Sequence, residues 1–141
     1  MKINYQSLEK KIDLKFKNKD LLIQALTHKS FNPNENNEKI EFLGDRVLGL
    51  VIAKKLLEIY PEEKEGILDK KFASLVNKKT CLDIAKKINL ASYVKTFNPN
   101  NKNIKIEDKI ISDSCEALIG AIYFDKGFTI VEKTVLNLWK E

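Results

Sequence analysis

The sequence predicts an all-α fold, a compact helical bundle, and three observations predict it. Apolar residues recur at helical rather than alternating spacing along nearly the whole chain. No pair of alternating segments reads as a hairpin, and there is no internal repeat. The three prolines, Pro33, Pro61 and Pro99, all fall in loops or at the ends of helical segments. At 141 residues the chain has the length of one domain with one core, read here as a single domain over 1–141.

The elements follow in order. "YQSLEKKI" is a short first helix. "NKDLLIQALTHKS" is the second, with Asn18 or Asp20 as its cap and Leu21, Leu22, Ala25 and Leu26 as its apolar face. "FNPNENN" is a loop by its Asn and Pro content. "NNEKIEFLGDRVLGLVIAKKL" opens a long helix that runs to about Ile59 and stops at "YPEE", because Pro61 cannot continue it. "EGILDKKFASLVNKKTCLDIAKKI" reads as two shorter helices with a bend near Asn77. "NLASYVKTF" is a turn or short helix, and "NPNNKN" a second exposed loop. "EDKIISDSCEALIGAIYFDKG" is another apolar helix, closed by Gly127. "FTIVEKTVLNLWKE" is the last, with Thr129 near its start.

Composition bounds the function. Hydrophobic residues make up 43% and charged residues 32%, ordinary for a globular protein. No apolar run reaches the roughly 18 residues of a spanning helix, so no membrane partner is expected. The N-terminus lacks the apolar stretch of a secretory signal, and the expected location is cytoplasmic. Cys81 and Cys115 form no CxxC pattern and read as reduced, packed thiols. A zinc site would need more ligands than two cysteines and one histidine supply. The net charge of +5 leans mildly towards polyanions. Lysine pairs such as Lys54-Lys55 and Lys78-Lys79 are either wet helix faces or contacts to a phosphate backbone.

The acids carry the chemistry. Each helical residue turns by about 100°, so Glu38, Glu41 and Asp45 project within an arc of about 60° on one helix face. Asp113 and Glu116, at i and i+3, do the same in the second apolar helix. Burying an unpaired carboxylate is expensive, so something positive must meet these groups. Gly44, Gly49 and Gly120 each lower helix propensity by about 1 kcal/mol against alanine, a cost that close approach of helix backbones would offset. If the two helices pack together, Glu41, Asp45, Asp113 and Glu116 converge, and four like charges repel strongly. Oxygen-only ligands with no His or Cys favour a hard dication, Mg2+ or Mn2+ in its place. A di-iron carboxylate site would need Glu-x-x-His, and Ala25 stands three positions before His28.

At these residues the sequence resembles the ribonuclease III family. "NEKIEFLGDRVL" is similar to its signature helix, with the "EFLGD" core. "ALTHKSF" matches its "ALTH-x-S" segment. "PEEKEGILDKKFASLV" matches its "EG-x-L…A-x-LV" stretch, and "SDSCEALIGAIYFDKGF" its second acidic helix. The likeness runs in order from about residue 7 to 140.

The resemblance implies the family's all-helical endonuclease domain, a homodimer that cuts double-stranded RNA with magnesium. It matches Glu41, Asp45, Asp113 and Glu116 to the metal-binding acids, with Asp45 and Glu116 catalytic. Glu38 matches an auxiliary acid at the rim of the site, and Glu65 an acid near the dimer's catalytic valley. Phe42 matches the aromatic knob that enters a socket on the partner subunit. Two dications about 4 Å apart would clamp an in-line displacement at phosphorus. The implied products carry 5′-phosphate and 3′-hydroxyl ends with two-nucleotide 3′ overhangs, in processing of ribosomal and messenger RNA. The alternative is a non-catalytic RNA-binding or ribosome-associated module on the same fold.

Three positions depart from the family pattern: Lys39 stands where arginine is common, Phe72 where many members have arginine, and Arg46 where small residues are frequent. Most members continue into a double-stranded-RNA-binding domain beyond the point where these residues end, at "LNLWKE". His28 reads as a hydrogen-bonded helix-end residue, Trp139 as a cap on the core, and Leu48 and Val51 as core or dimer surface.

Overall fold

A computed structural model describes residues 2–97 and 105–140. Among these residues there are seven α-helices and no strand: α1 (Tyr5–Lys11), α2 (Lys19–Ala25), α3 (Glu38–Ile59), α4 (Glu65–Leu75), α5 (Lys78–Lys87), α6 (Asp108–Lys126) and α7 (Phe128–Trp139). A short 3-10 turn, Leu90–Tyr93, follows α5. The loop expected over "NPNNKN" lies outside the described residues.

Local chemistry sets the helix ends. Asn4, Asn18 and Asn77 each turn a side-chain oxygen onto the N–H three residues on, at Ser7, Leu21 and Thr80, and so start α1, α2 and α5. Asn77 is also the expected bend between α4 and α5. Tyr60, the residue before Pro61, leaves helical geometry at φ −122° and ψ 59° and ends α3. Gly127 ends α6 at φ +88°, in the left-handed region where glycine carries no Cβ penalty.

Helix α2 stops sooner than its apolar pattern suggests. After Ala25 the chain extends to meet Lys95: the His28 N–H donates to the Lys95 carbonyl at 2.9 Å, and the Lys95 N–H to that of Leu26 at 2.8 Å. These two bonds replace another helical turn, and propensity yields to tertiary pairing. His28 sits just past this helix end, its Nδ1 accepting from the Ser30 N–H at 3.1 Å.

Helix α6 is the axis of the molecule. Its middle, from Ser114 to Ile122, is buried on every side, with α2, α3, α5 and α7 packed around it. Helix α3 lies closest. A Cβ on Gly44 would sit 1.7 Å from the Glu116 carbonyl oxygen, and one on Gly120 would sit 2.3 Å from that of Ile40. Only glycine permits this crossing. Gly49 is different: a Cβ there would meet only the Phe72 ring, at 3.4 Å, with no backbone of the described residues close by.

The core draws on every helix except α4, which contributes only half-buried residues. Leu48 and Val51 are fully buried within it, while Phe42, Leu50 and Leu57 lie exposed on the opposite side of α3. Trp139 closes the far end, donating from Nε1 to the Leu75 carbonyl at 2.8 Å. The buried Glu9 has its own partners, the Phe16 N–H at 2.7 Å and the Lys19 ammonium at 2.6 Å. Burial alone would raise its carboxyl, but these two donors hold it below the usual range. No helix among the described residues is long and apolar enough to cross a membrane.

Candidate metal centre

The crossing fixed by the paired glycines brings the acid-bearing faces of α3 and α6 together. Asn37 anchors the start of α3: its buried amide donates to the Ala25 carbonyl at 3.1 Å and to Ser114 Oγ of α6 at 3.4 Å. One turn on, Glu41 faces α6. Glu41, Asp113 and Glu116 each offer a carboxylate oxygen, and the three oxygens lie within 4.8 Å of one another. Glu116 is buried, the other two half-buried.

The remaining predicted residues do not join this trio. Asp45 lies next to Glu116, close enough for the two carboxyls to share a hydrogen bond, but it is more exposed and also pairs with Arg46 at 3.4 Å. Its oxygen is not one of the three that converge. Glu38 is exposed, one helical turn before Glu41, and lies 3.7 Å from Lys29. Glu65 is exposed in the first turn of α4 and does not belong to the trio. Phe42 points to solvent at 63% exposure, with the Arg46 guanidinium 4.0 Å from its ring centre.

Among the described residues, two cations meet these three acids. Lys78, the first residue of α5, places Nζ 2.5 Å from Glu116, 2.7 Å from Asp113 and 3.6 Å from Glu41. Lys109 holds the other oxygen of Asp113 at 2.7 Å. Lys109 had a local signal, since it stands four residues before Asp113 on the same helix. Lys78 had none beyond its place in a lysine pair, for its partners lie 35 or more residues away.

Burial pushes the Glu116 carboxyl up to about 7, the neighbouring Asp45 adds to the rise, and Lys78 offsets only part of it. Glu41 is raised too, by burial and then by the charge of Asp113. Asp113 moves the other way: burial would raise it, but Lys109 and Lys78 outweigh that and keep it low. Burial would likewise lower Lys78, yet its contacts with Asp113 and Glu116 hold it well above the usual lysine range.

A raised carboxyl binds its proton more tightly folded than unfolded, so stability falls as pH climbs between the two values. For Glu116 that window runs from 4.5 to about 7, and Glu41 acts in the same sense. The melting temperature of the metal-free protein is therefore expected to fall from pH 5 to pH 7, and Glu116→Gln to flatten the slope. Melts across that range check this.

The donor set suits a hard dication: three carboxylate oxygens from two helices, crowded enough that burial raises two of them. The Cys115 thiol, next in sequence to Glu116, is no competing soft ligand. The neighbouring Cys81 thiol and burial hold it protonated, well above the usual thiol range.

Comparison with known proteins decides the family. The family model described as Ribonuclease-III-like matches residues 18–141. The chain belongs to the Ribonuclease-III-like family. Ribonuclease 3 of Pelagibacter ubique is 67% identical over 141 residues, covering 100% of this chain and 64% of that protein. Ribonuclease 3 of a Sulfurovum species is 40% identical, covering 98% and 62%. The chain thus spans somewhat under two thirds of the length of these ribonuclease III relatives.

The crystal structure of the nuclease domain of ribonuclease III from Campylobacter jejuni superposes with a TM-score of 0.90 at 42% identity, covering 99% of this chain and 95% of that one. A second structure of that domain, described for flexibility in a region involved in dimer formation, gives 0.91 at 42% identity over 96% of each chain. The all-α reading and the ribonuclease III nuclease-domain fold therefore hold. Dicer from Pichia stipitis, at 24% identity and a TM-score of 0.67, shares the fold.

Proposed function

We propose that residues 1–141 form an endonuclease domain that hydrolyses double-stranded RNA with Mg2+, or Mn2+ in its place. The observation that carries this reading is the convergence of Glu41, Asp113 and Glu116 at the α3–α6 crossing, with Asp45 beside Glu116. Bound divalent ions would supply an activated water and neutralise charge on the departing 3′ oxygen. The chain's own residues do the rest. Glu41, Asp113 and Glu116 would hold the ions, and Asp45 would complete the set from the solvent side. Glu38 and Lys29 line the rim where the phosphate backbone arrives, and Glu65 serves as an auxiliary acid on α4. A-form RNA would be met through phosphates and 2′-hydroxyls more than through base identity. The ends expected are 5′-phosphate and 3′-hydroxyl with two-nucleotide 3′ overhangs, on ribosomal and messenger precursors in the cytoplasm.

Incubation of a uniform RNA duplex with and without Mg2+, followed by end-group analysis, tests this reading. Cleavage that persists unchanged in a chelator sinks it. A duplex bound but never nicked by a clean preparation would favour the non-catalytic module instead.

Two sites are needed to cut two strands, and the exposed side of α3 offers the surface for a second copy. Phe42, Leu50 and Leu57 form an apolar row there, each more than half exposed. The Campylobacter jejuni nuclease domain is described as having a region involved in dimer formation, which supports a second copy as the partner. Phe42→Ala is expected to weaken self-association by roughly 30-fold, the effect of removing one aromatic anchor. Sedimentation equilibrium measures it, and an unchanged dimer would remove Phe42 from the interface.

A further inference from the structure

Lys78 enters the acid cluster from a third helix, and the metal reading gives it no role. Its backbone position is firmly set. The Asn77 side chain accepts from the Thr80 N–H and donates to the Ala73 carbonyl, both at 2.8 Å, so α5 begins at a fixed point beside α6. From there the ammonium reaches Glu116 and Asp113 within hydrogen-bond range and Glu41 at 3.6 Å. These are the same three residues whose oxygens converge.

The other cations nearby do something different. Lys109 touches only the outer oxygen of Asp113, and Arg46 engages Asp45 and the Phe42 ring. An ammonium has three donors and no acceptor, a match for three carboxylates. The side chain is 58% exposed, so its four-carbon stem can swing to solvent without opening the core. A dication that used these oxygens would have to take the place of the ammonium, since two positive centres in that volume repel.

We propose that Lys78 is a tethered counter-cation of the acid cluster: it holds Glu41, Asp113 and Glu116 together without metal, and it must leave them for a divalent ion to bind. The inference rests on the metal reading of the cluster. It makes the affinity for the ion a balance between the carboxylates and a competitor built into the chain.

Lys78→Met keeps the stem and removes the charge. Titration of the whole chain with Mn2+ at neutral pH and without RNA, following free Mn2+ by electron paramagnetic resonance, reads the competition directly. Lys78→Met is expected to bind Mn2+ roughly tenfold more tightly or better, the effect of charge-assisted contacts no longer surrendered. Lys78→Arg is expected to bind no more tightly than the wild type. Without metal, Lys78→Met should melt below the wild type, and saturating Mn2+ should raise its melting temperature by more. Should Lys78→Met fail to fold without the ion, Lys78→Gln carries the same expectation. Equal or weaker Mn2+ binding by the neutral variants overturns the role of Lys78 and leaves the metal centre standing. Binding by none of the proteins removes the metal centre and this inference together.

Discussion

Replacing Gly44 by alanine is expected to cost the fold about 3–5 kcal/mol, at the upper end of single-substitution effects. The new methyl would lie 1.7 Å from the carbonyl oxygen of Glu116 and 2.6 Å from its carbonyl carbon. Both are backbone atoms of the most buried helix, so no side chain can swing aside. Either α3 or α6 must shift, and that shift pulls apart Glu41 and the pair Asp113 and Glu116. Stability and metal binding should therefore fail together. Gly120→Ala, whose methyl would meet the Ile40 carbonyl at 2.3 Å, should behave alike. Gly66→Ala is the control: none of the described residues lies within 4 Å of its methyl, and alanine should gain about 0.5–1 kcal/mol in that helix. Urea unfolding separates the outcomes. A Gly44→Ala protein as stable as the wild type would mean that the helices do not cross where the glycines indicate.

That crossing was legible in the sequence because it has a one-dimensional signature. Glycines inside apolar helical runs ask for a reason, and carboxylates at i, i+3 and i+7 share a face by the pitch of the helix alone. The Asn18 cap, the stop before Pro61 and the closing Gly127 were legible for the same reason, since each acts within four residues of itself; the Asn4 and Asn77 caps act as locally but were not among the elements read from the sequence. What the sequence hid was non-local. Lys78 meets acids that lie in other helices, and the carboxylate of Glu9 is satisfied by a turn and a lysine beyond its own helix. Which side of α3 faces inward was hidden too. Leu48 and Val51 are core while Leu50 and Leu57 are exposed, yet all four are aliphatic. A helix with aliphatic residues on opposite sides carries only a weak periodic record of its orientation.

Glu116→Gln is expected to separate the fold from its proposed chemistry. The amide nearly matches the carboxylate in shape, and its oxygen can still accept from the Lys78 ammonium now 2.5 Å away. It also relieves the burial of a charge that the surroundings push up to about 7. The metal-free variant should thus be as stable as the wild type at neutral pH, or more so. A neutral amide is a far weaker ligand for a hard dication than a carboxylate. Cleavage of duplex RNA in Mg2+ should fall by on the order of 10³-fold or more, since the group lost acts on charge developing in the transition state. Asp45→Asn should lose cleavage as well, whereas duplex binding in Ca2+ should largely survive Glu116→Gln. Melts, binding and cleavage assays on one preparation discriminate the cases. A stable, RNA-binding, inactive variant places Glu116 in the reaction. A variant that cuts as well as the wild type would mean that the buried carboxylate serves packing alone, and that the reacting phosphate lies elsewhere.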